Sequence, residues 1–349
     1  MSRALERRGI HARARSIVFN ILLTHPPRIR SQYYNDQALA ALETLGKVRR
    51  NWQERELDAA ELLEAARGCE IIVTHRHVPA DRALFERLPQ LVAFCRCAVD
   101  IRNVDVAAAS AQGVLVTHAS AGFIPATAEW VLGAMIDLGR SLSASSQTYH
   151  AGHEPEPVMG RQLAGGTLGV IGYGQIGRYL CGLALALRMN VLVADPYAHV
   201  ADNAQVTRVG LEQLLAQSDF VVCLASATAE TENLLDAQAF AHMRAGAFFI
   251  NASRGDLVDE AALLQALDDG RIAGCALDVG RAPDQRPSPA LARHPKVIAT
   301  PHIGGLTPQA TAHQALETVA QVAEILKGRA PKGAVNVDRA SRLSRMGRG

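Results

Sequence analysis

Two side chains stand where a parallel α/β protein would place its chemistry. Arg254 follows the apolar run Ala247–Asn251 in NASRGDLVDEAALLQAL, and His302 follows Val297–Ala299 in ATPHIGG. An arginine at the carboxyl end of a strand in an open sheet points into the ligand crevice. Its planar fork suits a carboxylate or carbonyl oxygen, although a surface arginine paired with a nearby acid reads the same way. A histidine between a strand end and a glycine pair can serve as acid and base near neutral pH. His25, His118, His242 and His294 have no such setting and are given no role. Asp278 follows Gly274–Leu277 in ALDVGRA, so it faces the same crevice. It reads either as a contact to a bound ligand in that crevice or as a turn cap.

The stretch Gly165–Asp195 says which cofactor. Thr167–Ile171 reads as a buried parallel strand, followed by Gly172, Gly174 and Gly177 spaced G-x-G-x-x-G. Gln175–Arg188 has an apolar helical face of Ile176, Leu180, Leu183, Ala184 and Leu187, and Val191–Ala194 is a second strand ending at Asp195. Gly172 permits the tight turn, Gly174 lets a pyrophosphate approach the backbone, and Gly177 lets the helix pack close. The pyrophosphate would cap the positive helix N-terminus, next to Gln175 and Ile176. Asp195, eighteen residues past Gly177, can accept from the adenosine ribose hydroxyls. Its charge would repel a 2′-phosphate, so NAD is expected rather than NADP.

Strand and helix patterns alternate through the rest of the chain. Strands are expected at Ser16–Leu23, Lys47–Trp52, Glu70–Thr74, Leu91–Cys97 and Val114–His118. Helices are expected at Ser31–Leu45, Leu57–Ala66, Ala80–Leu88 and Val104–Gln112. This is a parallel α/β domain of its own. A long helix at Ile124–Leu142 and a loop-rich stretch at Ser143–Gly165 precede the glycine unit. After it come buried runs at Phe220–Leu224, Ala247–Asn251 and Gly274–Leu277, a helix at Asp259–Leu267, and a last helix at Thr307–Leu326 with Pro308 in its first turn. The fold class expected is α/β, with two flavodoxin- or Rossmann-like parallel-sheet domains and a cleft between them. Residues 1–118, completed by 301–332, form the substrate domain, and 119–300 form the NAD-binding domain. The arginine-bearing ends, 1–15 and 338–349, are expected to be unstructured tails.

At 349 residues the chain has room for two such domains. It is 48% hydrophobic and 20% charged, ordinary for a soluble globular protein. A net charge of +2 gives no global pull toward nucleic acid or an anionic membrane, and no apolar run is long enough to span one. Cys69, Cys95, Cys97, Cys181, Cys223 and Cys275 lie in or beside apolar runs without a C-x-x-C pair. They fit buried thiols in a reducing, cytoplasmic compartment, with no disulfide and no metal site.

Taken together, GYGQIG with Asp195, ETENLLD, NASRGDLVDEAALLQAL, ALDV and TPHIGG resemble the D-isomer-specific 2-hydroxyacid dehydrogenases, the family of phosphoglycerate, glycerate and formate dehydrogenases. The resemblance implies interconversion of a small 2-oxo acid and a D-2-hydroxy acid with NAD, by hydride transfer. It implies a homodimer built through the helix at 124–142 and the NAD-binding domain. By position, Arg254 matches the substrate-binding arginine and His302 the acid/base. Gln175, Ile176 and Asp195 match the cofactor set. Ala252, Ser253, Arg254, Asp278 and His302–Gly305, including Gly304, lie where the family contacts nicotinamide.

Two departures are visible. The family's glutamate, five residues after the aspartate of the DV pair, holds the histidine's proton; here Pro283 fills that spacing, with Asp284 and Gln285 as neighbours that could replace it. Where the family has a glycine-rich loop for the substrate carboxylate, this chain has RCAVD, so Cys97, Ala98 and Val99 would present the backbone N–H groups. His75 and Arg76, on the facing loop, read either as substrate side-chain contacts or as surface residues. The missing glutamate also leaves open a second reading, an NAD(H)-binding pseudoenzyme that senses redox state. Retention of both Arg254 and His302 favours the dehydrogenase.

Overall fold

The structure is a computed structural model, which describes residues 18–200 and 205–347. The chain divides into two units. One runs to Ala121 and resumes at Thr311, and the other spans Gly122–Ala310.

The first unit is built on five parallel strands, β1 (Asn20–Leu23), β2 (Lys47–Arg50), β3 (Ile71–Thr74), β4 (Ala93–Arg96) and β5 (Leu115–His118), in the order β2-β1-β3-β4-β5. β3 and β4 are buried along their whole length, as strands covered on both faces must be. Alternate residues divide the core: Ile21 and Leu23 pack with Leu39, Leu42 and the last helix's Val322 and Ile325, while Leu22 packs with Leu62, Phe85 and Phe94 on the other face.

The second unit continues with β6 (Thr167–Ile171), β7 (Asn190–Ala194), β8 (Val206–Arg208), β9 (Phe220–Cys223), β10 (Phe248–Asn251), β11 (Gly274–Leu277) and β12 (Val297–Ala299). All pairings are parallel, in the order β12-β11-β10-β9-β6-β7-β8. Strand order reverses between β6 and β9, the point where open α/β sheets bind ligands at their carboxyl ends.

Three expectations are corrected, and a strand and a helix are added. The helix expected at Ser31–Leu45 is two, Pro27–Tyr33 and Asp36–Glu43, because the Asn35 side chain accepts from the Ala38 N–H and starts a new helix. The loop-rich stretch after residue 142 begins with a helix, Leu142–His150, none of whose residues is buried. It is set off from the helix Ile124–Arg140 by Ser141, at φ 53°. The strand Val206–Arg208 and the helix Leu211–Gln217 had no counterpart in the sequence reading. The C-terminal segment, expected as an unstructured tail, packs on the first unit as short 3-10 turns at Val337–Arg339 and Ser341–Arg345. There Arg342 is buried and donates to the carbonyls of Leu88 (2.8 Å) and Leu91 (2.9 Å). Leu88 closes the helix Arg82–Arg87, whose last carbonyls need such a donor. Residues 1–15 lie outside the described residues.

All six cysteines are buried and free. No helix among the described residues is long and apolar enough to cross a membrane.

Candidate active site

The glycine loop leaves β6 and turns into the helix Gln175–Ala186. Gly172 has φ +95°, and a Cβ there would lie 2.5 Å from the Ala225 nitrogen, so the β6 and β9 loops touch through it. A Cβ on Gly177 would lie 2.3 Å from the Gly172 oxygen, which fixes the close approach of helix to turn. Gly174 is the contrast: it caps the helix without a side-chain hydrogen bond and has nothing within 4 Å of its Cβ direction. The Cβ side of Gly174 at the helix N-terminus is therefore open, and no side chain caps the first N–H groups, so a pyrophosphate could approach there.

At the end of β7, Asp195 accepts three backbone N–H groups, from Tyr173 (2.8 Å), Tyr197 (2.9 Å) and Ala198 (3.0 Å). Burial alone would raise its carboxyl group; these donors and the Arg208 charge outweigh that and hold it below the ordinary carboxylate range. Beside it opens a cavity of about 860 Å³ lined by Ile171, Ala194, Asp195, Arg208, Leu211 and Leu234. Its lining is mostly apolar, with Asp195, Arg208 and Gln213 as the polar side chains, a mixture that suits an adenosine. Arg208, at the end of β8, donates to the Pro196 carbonyl (2.9 Å), so the fold brings beside Asp195 an arginine that the sequence reading had not placed there.

Arg254 follows β10 and directly precedes a 3-10 turn, Gly255–Leu257. Its Nη1 donates to the Ser253 carbonyl (2.7 Å). Buried Asn251 braces the turn: its Nδ2 donates to the Arg254 carbonyl (2.9 Å) and its Oδ1 accepts the Ser253 N–H (3.0 Å). The Ser253 hydroxyl donates to the Ala225 carbonyl. A Cβ on Gly255 would lie 2.2 Å from the Gly280 carbonyl carbon, so the loops after β10 and β11 are in contact. Arg281 ties a third segment to them, donating to Glu232 (2.8 Å), Asn233 (2.7 Å) and the Asp256 carbonyl (2.8 Å). Asn251 and Arg281 were not singled out from the sequence; the small-residue ASRG turn after Asn251 is the only signal that a brace is needed there.

Asp278 is the anchor of the histidine loop. Oδ1 accepts from the Thr300 hydroxyl (2.6 Å) and the Ile303 N–H (2.7 Å), and Oδ2 from the Gly304 N–H (2.7 Å). A Cβ on Gly304 would lie 2.8 Å from Oδ2, so only glycine lets that bond form. Of the two readings of Asp278, the turn cap accounts for these contacts. His302 itself has φ 60°, and its Nδ1 lies 3.2 Å from the backbone oxygen of Asp284. Pro283–Gln285 form a 3-10 turn with Asp284 at φ 59° and Gln285 at φ 55°. The turn is pinned by hydrogen bonds from Gly280 to Gln285 (2.9 Å) and from Ala282 to Arg286 (3.0 Å). The Asp284 carboxylate lies 3.8 Å from Arg286. His302 thus belongs to the second unit, although the sequence reading had assigned 301 onward to the first.

In the first unit, the loop Cys97–Val99 follows β4. The Cys97 N–H donates to the Thr74 carbonyl (2.8 Å), and its thiol is buried and pushed up to about 12 by that burial. Cys97 is therefore a core residue, and its N–H is already engaged; Ala98 is half-buried and Val99 exposed. His75 is buried, 3% exposed, and so is not a surface residue. Arg76 donates from Nε to His77 Nε2 (3.0 Å). Glu56, His75 and His77 come together with their ligand atoms within 4.8 Å, a grouping the sequence reading did not find.

Comparison with known proteins identifies the family of the chain. A sequence model of the NAD-binding domain of D-isomer specific 2-hydroxyacid dehydrogenases matches residues 132–304. The (S)-sulfolactate dehydrogenase of Chromohalobacter salexigens is 34% identical over 277 residues, 78% of this chain and 90% of that protein. A D-3-phosphoglycerate dehydrogenase of Synechocystis sp. is 32% identical over 284 residues, 80% of this chain; the match spans about half, 51%, of that protein's length. Among solved structures, the apo form of D-lactate dehydrogenase from Escherichia coli superposes with a TM-score of 0.80 at 25% identity, covering 91% of this chain and all of that one. The chain belongs to the D-isomer-specific 2-hydroxyacid dehydrogenase family, and its second unit carries that family's NAD-binding domain.

Proposed function

We propose that the chain reduces a 2-oxo acid to a D-2-hydroxy acid and catalyses the reverse reaction, using NAD. One observation carries this reading: Arg254 and His302 sit at the carboxyl ends of β10 and β12, on the same edge of one sheet as the glycine loop and Asp195. NADH, when bound, supplies the hydride that adds to C2. The Arg254 fork holds the carboxylate and polarises the 2-oxo group, as charge grows on its oxygen. His302 keeps Nδ1 at the Asp284 carbonyl, so Nε2 is the atom that gives the proton to that oxygen and takes it back in the reverse direction. The backbone N–H groups of Ala98 and Val99 are assigned to the substrate carboxylate, with His75 and Arg76 toward its side chain. Gly172, Gly174, Gln175, Ile176, Gly177 and Asp195 hold the cofactor's adenosine diphosphate half; Ala252, Ser253, Asp278 and Gly304 frame its nicotinamide half.

Two copies joined through the helix Ile124–Arg140 and the segment after it are the assembly this reading implies. Leu142, Tyr149, Val158 and Met159 are apolar and exposed there. Six buried free thiols suit a reducing compartment such as the cytoplasm. The test is a panel of 2-oxo acids, glyoxylate, pyruvate, hydroxypyruvate and phosphohydroxypyruvate, followed by NADH absorbance. NADH binding without turnover of any member between about pH 5 and 8 would overturn the dehydrogenase assignment.

A further inference from the structure

Behind the Cys97–Val99 loop, the first unit buries an unusual number of polar atoms without partners. His25 Nδ1 and Nε2, Arg30 Nη1, Tyr34 Oη, His75 Nδ1 and Arg96 Nε all lack a hydrogen bond, as do the hydroxyls of Thr24 and Thr74. They lie together. The His25 ring is 5.1 Å from Tyr34 and 5.6 Å from His75, centroid to centroid. Thr24 and Thr74 continue β1 and β3 at the carboxyl edge of the sheet, where Thr24 donates to Val73 (3.0 Å) and Cys97 to Thr74 (2.8 Å). Cys97 Sγ in turn lies 4.0 Å from the Tyr33 carbonyl. His75 Nδ1 is 3.4 Å from Glu56 Oε1, within ion-pair distance but without hydrogen-bonding geometry.

The cluster is rich in donors and in positive charge. Arg96, fully buried, is hydrogen-bonded by the carbonyls of His75 and Val78 and by Asn103 Oδ1, with the Asp100 and Glu56 carboxylates acting on it electrostatically rather than as hydrogen-bond partners. Burial and the two arginines lower His25 to about 3, so it is neutral at pH 7 and the charge comes from Arg30 and Arg96. Buried donors without acceptors are costly and are found paired in nearly all proteins. A group with several oxygens and a negative charge would meet the arginine and hydroxyl donors, and the one N–H of each neutral imidazole.

Resting on the dehydrogenase reading, we propose that His25, Arg30, Tyr34 and Arg96 form a subsite for a second anionic group on the substrate. The substrate class is then a 2-oxo acid whose far end carries a sulfonate, phosphate or carboxylate. The competing possibility is a buried aromatic cluster with unsatisfied polar groups and no ligand. The two differ at Tyr34: removing its hydroxyl should stabilise a ligandless core, but should weaken an anion site.

The experiment compares kcat/KM with NADH for sulfopyruvate, phosphohydroxypyruvate and oxaloacetate against 2-oxobutyrate, a neutral acid of similar length. At least about tenfold preference for one or more of the anionic acids is expected, because a site built to bind polar atoms rejects the analogue lacking them. Which anion leads identifies the group. Arg30→Met and Tyr34→Phe should each lower the ratio of anionic to neutral substrate, Arg30→Met by tenfold or more. Ratios near one, or ratios the variants leave unchanged, overturn the inference while the dehydrogenase reading stands. If no acid is reduced, calorimetric titration with sulfoacetate, phosphoglycolate and malonate, against propionate, decides the subsite alone. Binding of an anion that Arg30→Met abolishes supports it, and flat isotherms for all four sink it.

Discussion

His302 Nδ1 lies 3.2 Å from the backbone oxygen of Asp284, a residue whose backbone is left-handed at φ 59°. A carbonyl accepts the Nδ1 proton and so fixes which nitrogen is left to face a substrate. On the dehydrogenase reading, the backbone shape of the Pro283–Gln285 turn then bears on which His302 nitrogen handles the proton. Asp284→Asn keeps the carbonyl and suits φ > 0, whereas Asp284→Pro forces φ to about −65° and turns the carbonyl away. The proline variant should lose at least about tenfold in kcat, with the asparagine variant much less affected. The pH profile of the asparagine variant reports separately on the carboxylate: a fall in kcat/KM that moves to lower pH assigns it a share in holding the His302 proton. A proline variant as active as the parent would show that the carbonyl is idle.

Asp278 accepts three donors from the histidine loop, two of them backbone N–H groups. Asp278→Asn replaces one carboxylate oxygen with an NH2 that cannot accept from Gly304 or Ile303. Leaving a buried N–H unpaired costs about 1–3 kcal/mol. Urea unfolding should show that loss, and kcat should fall with it because His302 shifts. NADH affinity should change much less. Loss of NADH binding at unchanged stability would instead make Asp278 a cofactor contact.

Arg254→Lys keeps the charge and loses the fork. The cost should be on the order of 2–3 kcal/mol, tens- to hundreds-fold in kcat/KM, with NADH affinity nearly constant. Stopped-flow NADH binding beside steady-state turnover separates the two. A variant that fails to bind NADH would make Arg254 a cofactor or structural residue.

Asp195 and Arg208 line one cavity beside β7, and for an adenosine bound there their charges would pull cofactor choice in opposite directions. Asp195 would repel a 2′-phosphate, whereas Arg208 would attract one. The parent should prefer NADH. Asp195→Ala should raise kcat/KM for NADPH by about tenfold or more, because Arg208 remains to bind the phosphate. Adding Arg208→Leu should cancel that gain. An Asp195→Ala variant that gains nothing with NADPH would place Arg208 out of reach of the phosphate.

What the sequence disclosed follows a physical pattern. The glycine loop, Asp195, Arg254 and His302 were legible because strand ends and G-x-G-x-x-G spacing encode their positions locally. The contact of His302 with the Asp284 carbonyl was not, because it is made by backbone in a left-handed turn, and no side-chain type announces one. Arg208 ends a three-residue strand with two exposed positions, too short to show a period, so its meeting with Asp195 depends on tertiary pairing. Arg342 looked like one more solvated charge of a basic tail; only the carbonyls of Leu88 and Leu91 make it a cap. His25 was given no role for the same reason: nothing in THPPR shows that its ring will be buried against Tyr34 and His75.

That burial makes a prediction about acid. His25 is lowered from 6.5 to about 3, by burial first and then by Arg96 and Arg30. His75 is lowered to about 2, by burial and then His25, with Glu56 opposing and His77 and Arg76 adding. In the unfolded chain both bind a proton near pH 6.5, and in the folded chain neither does. The unfolded state therefore gains protons first as pH falls, so stability is lost below about pH 6.5 and the loss continues toward about pH 3. Above pH 7 both states are neutral and the two histidines contribute nothing to the pH dependence. The slope is about 1.4 kcal/mol per pH unit for each histidine, so going from pH 7 to 5 should cost about 2 kcal/mol apiece. Urea titrations at the two pH values measure it. His25→Phe keeps a ring in place without a titrating group, and should remove roughly half of the loss. A parent protein equally stable at pH 5 and 7 would mean that these rings take up protons inside the fold, contrary to their burial.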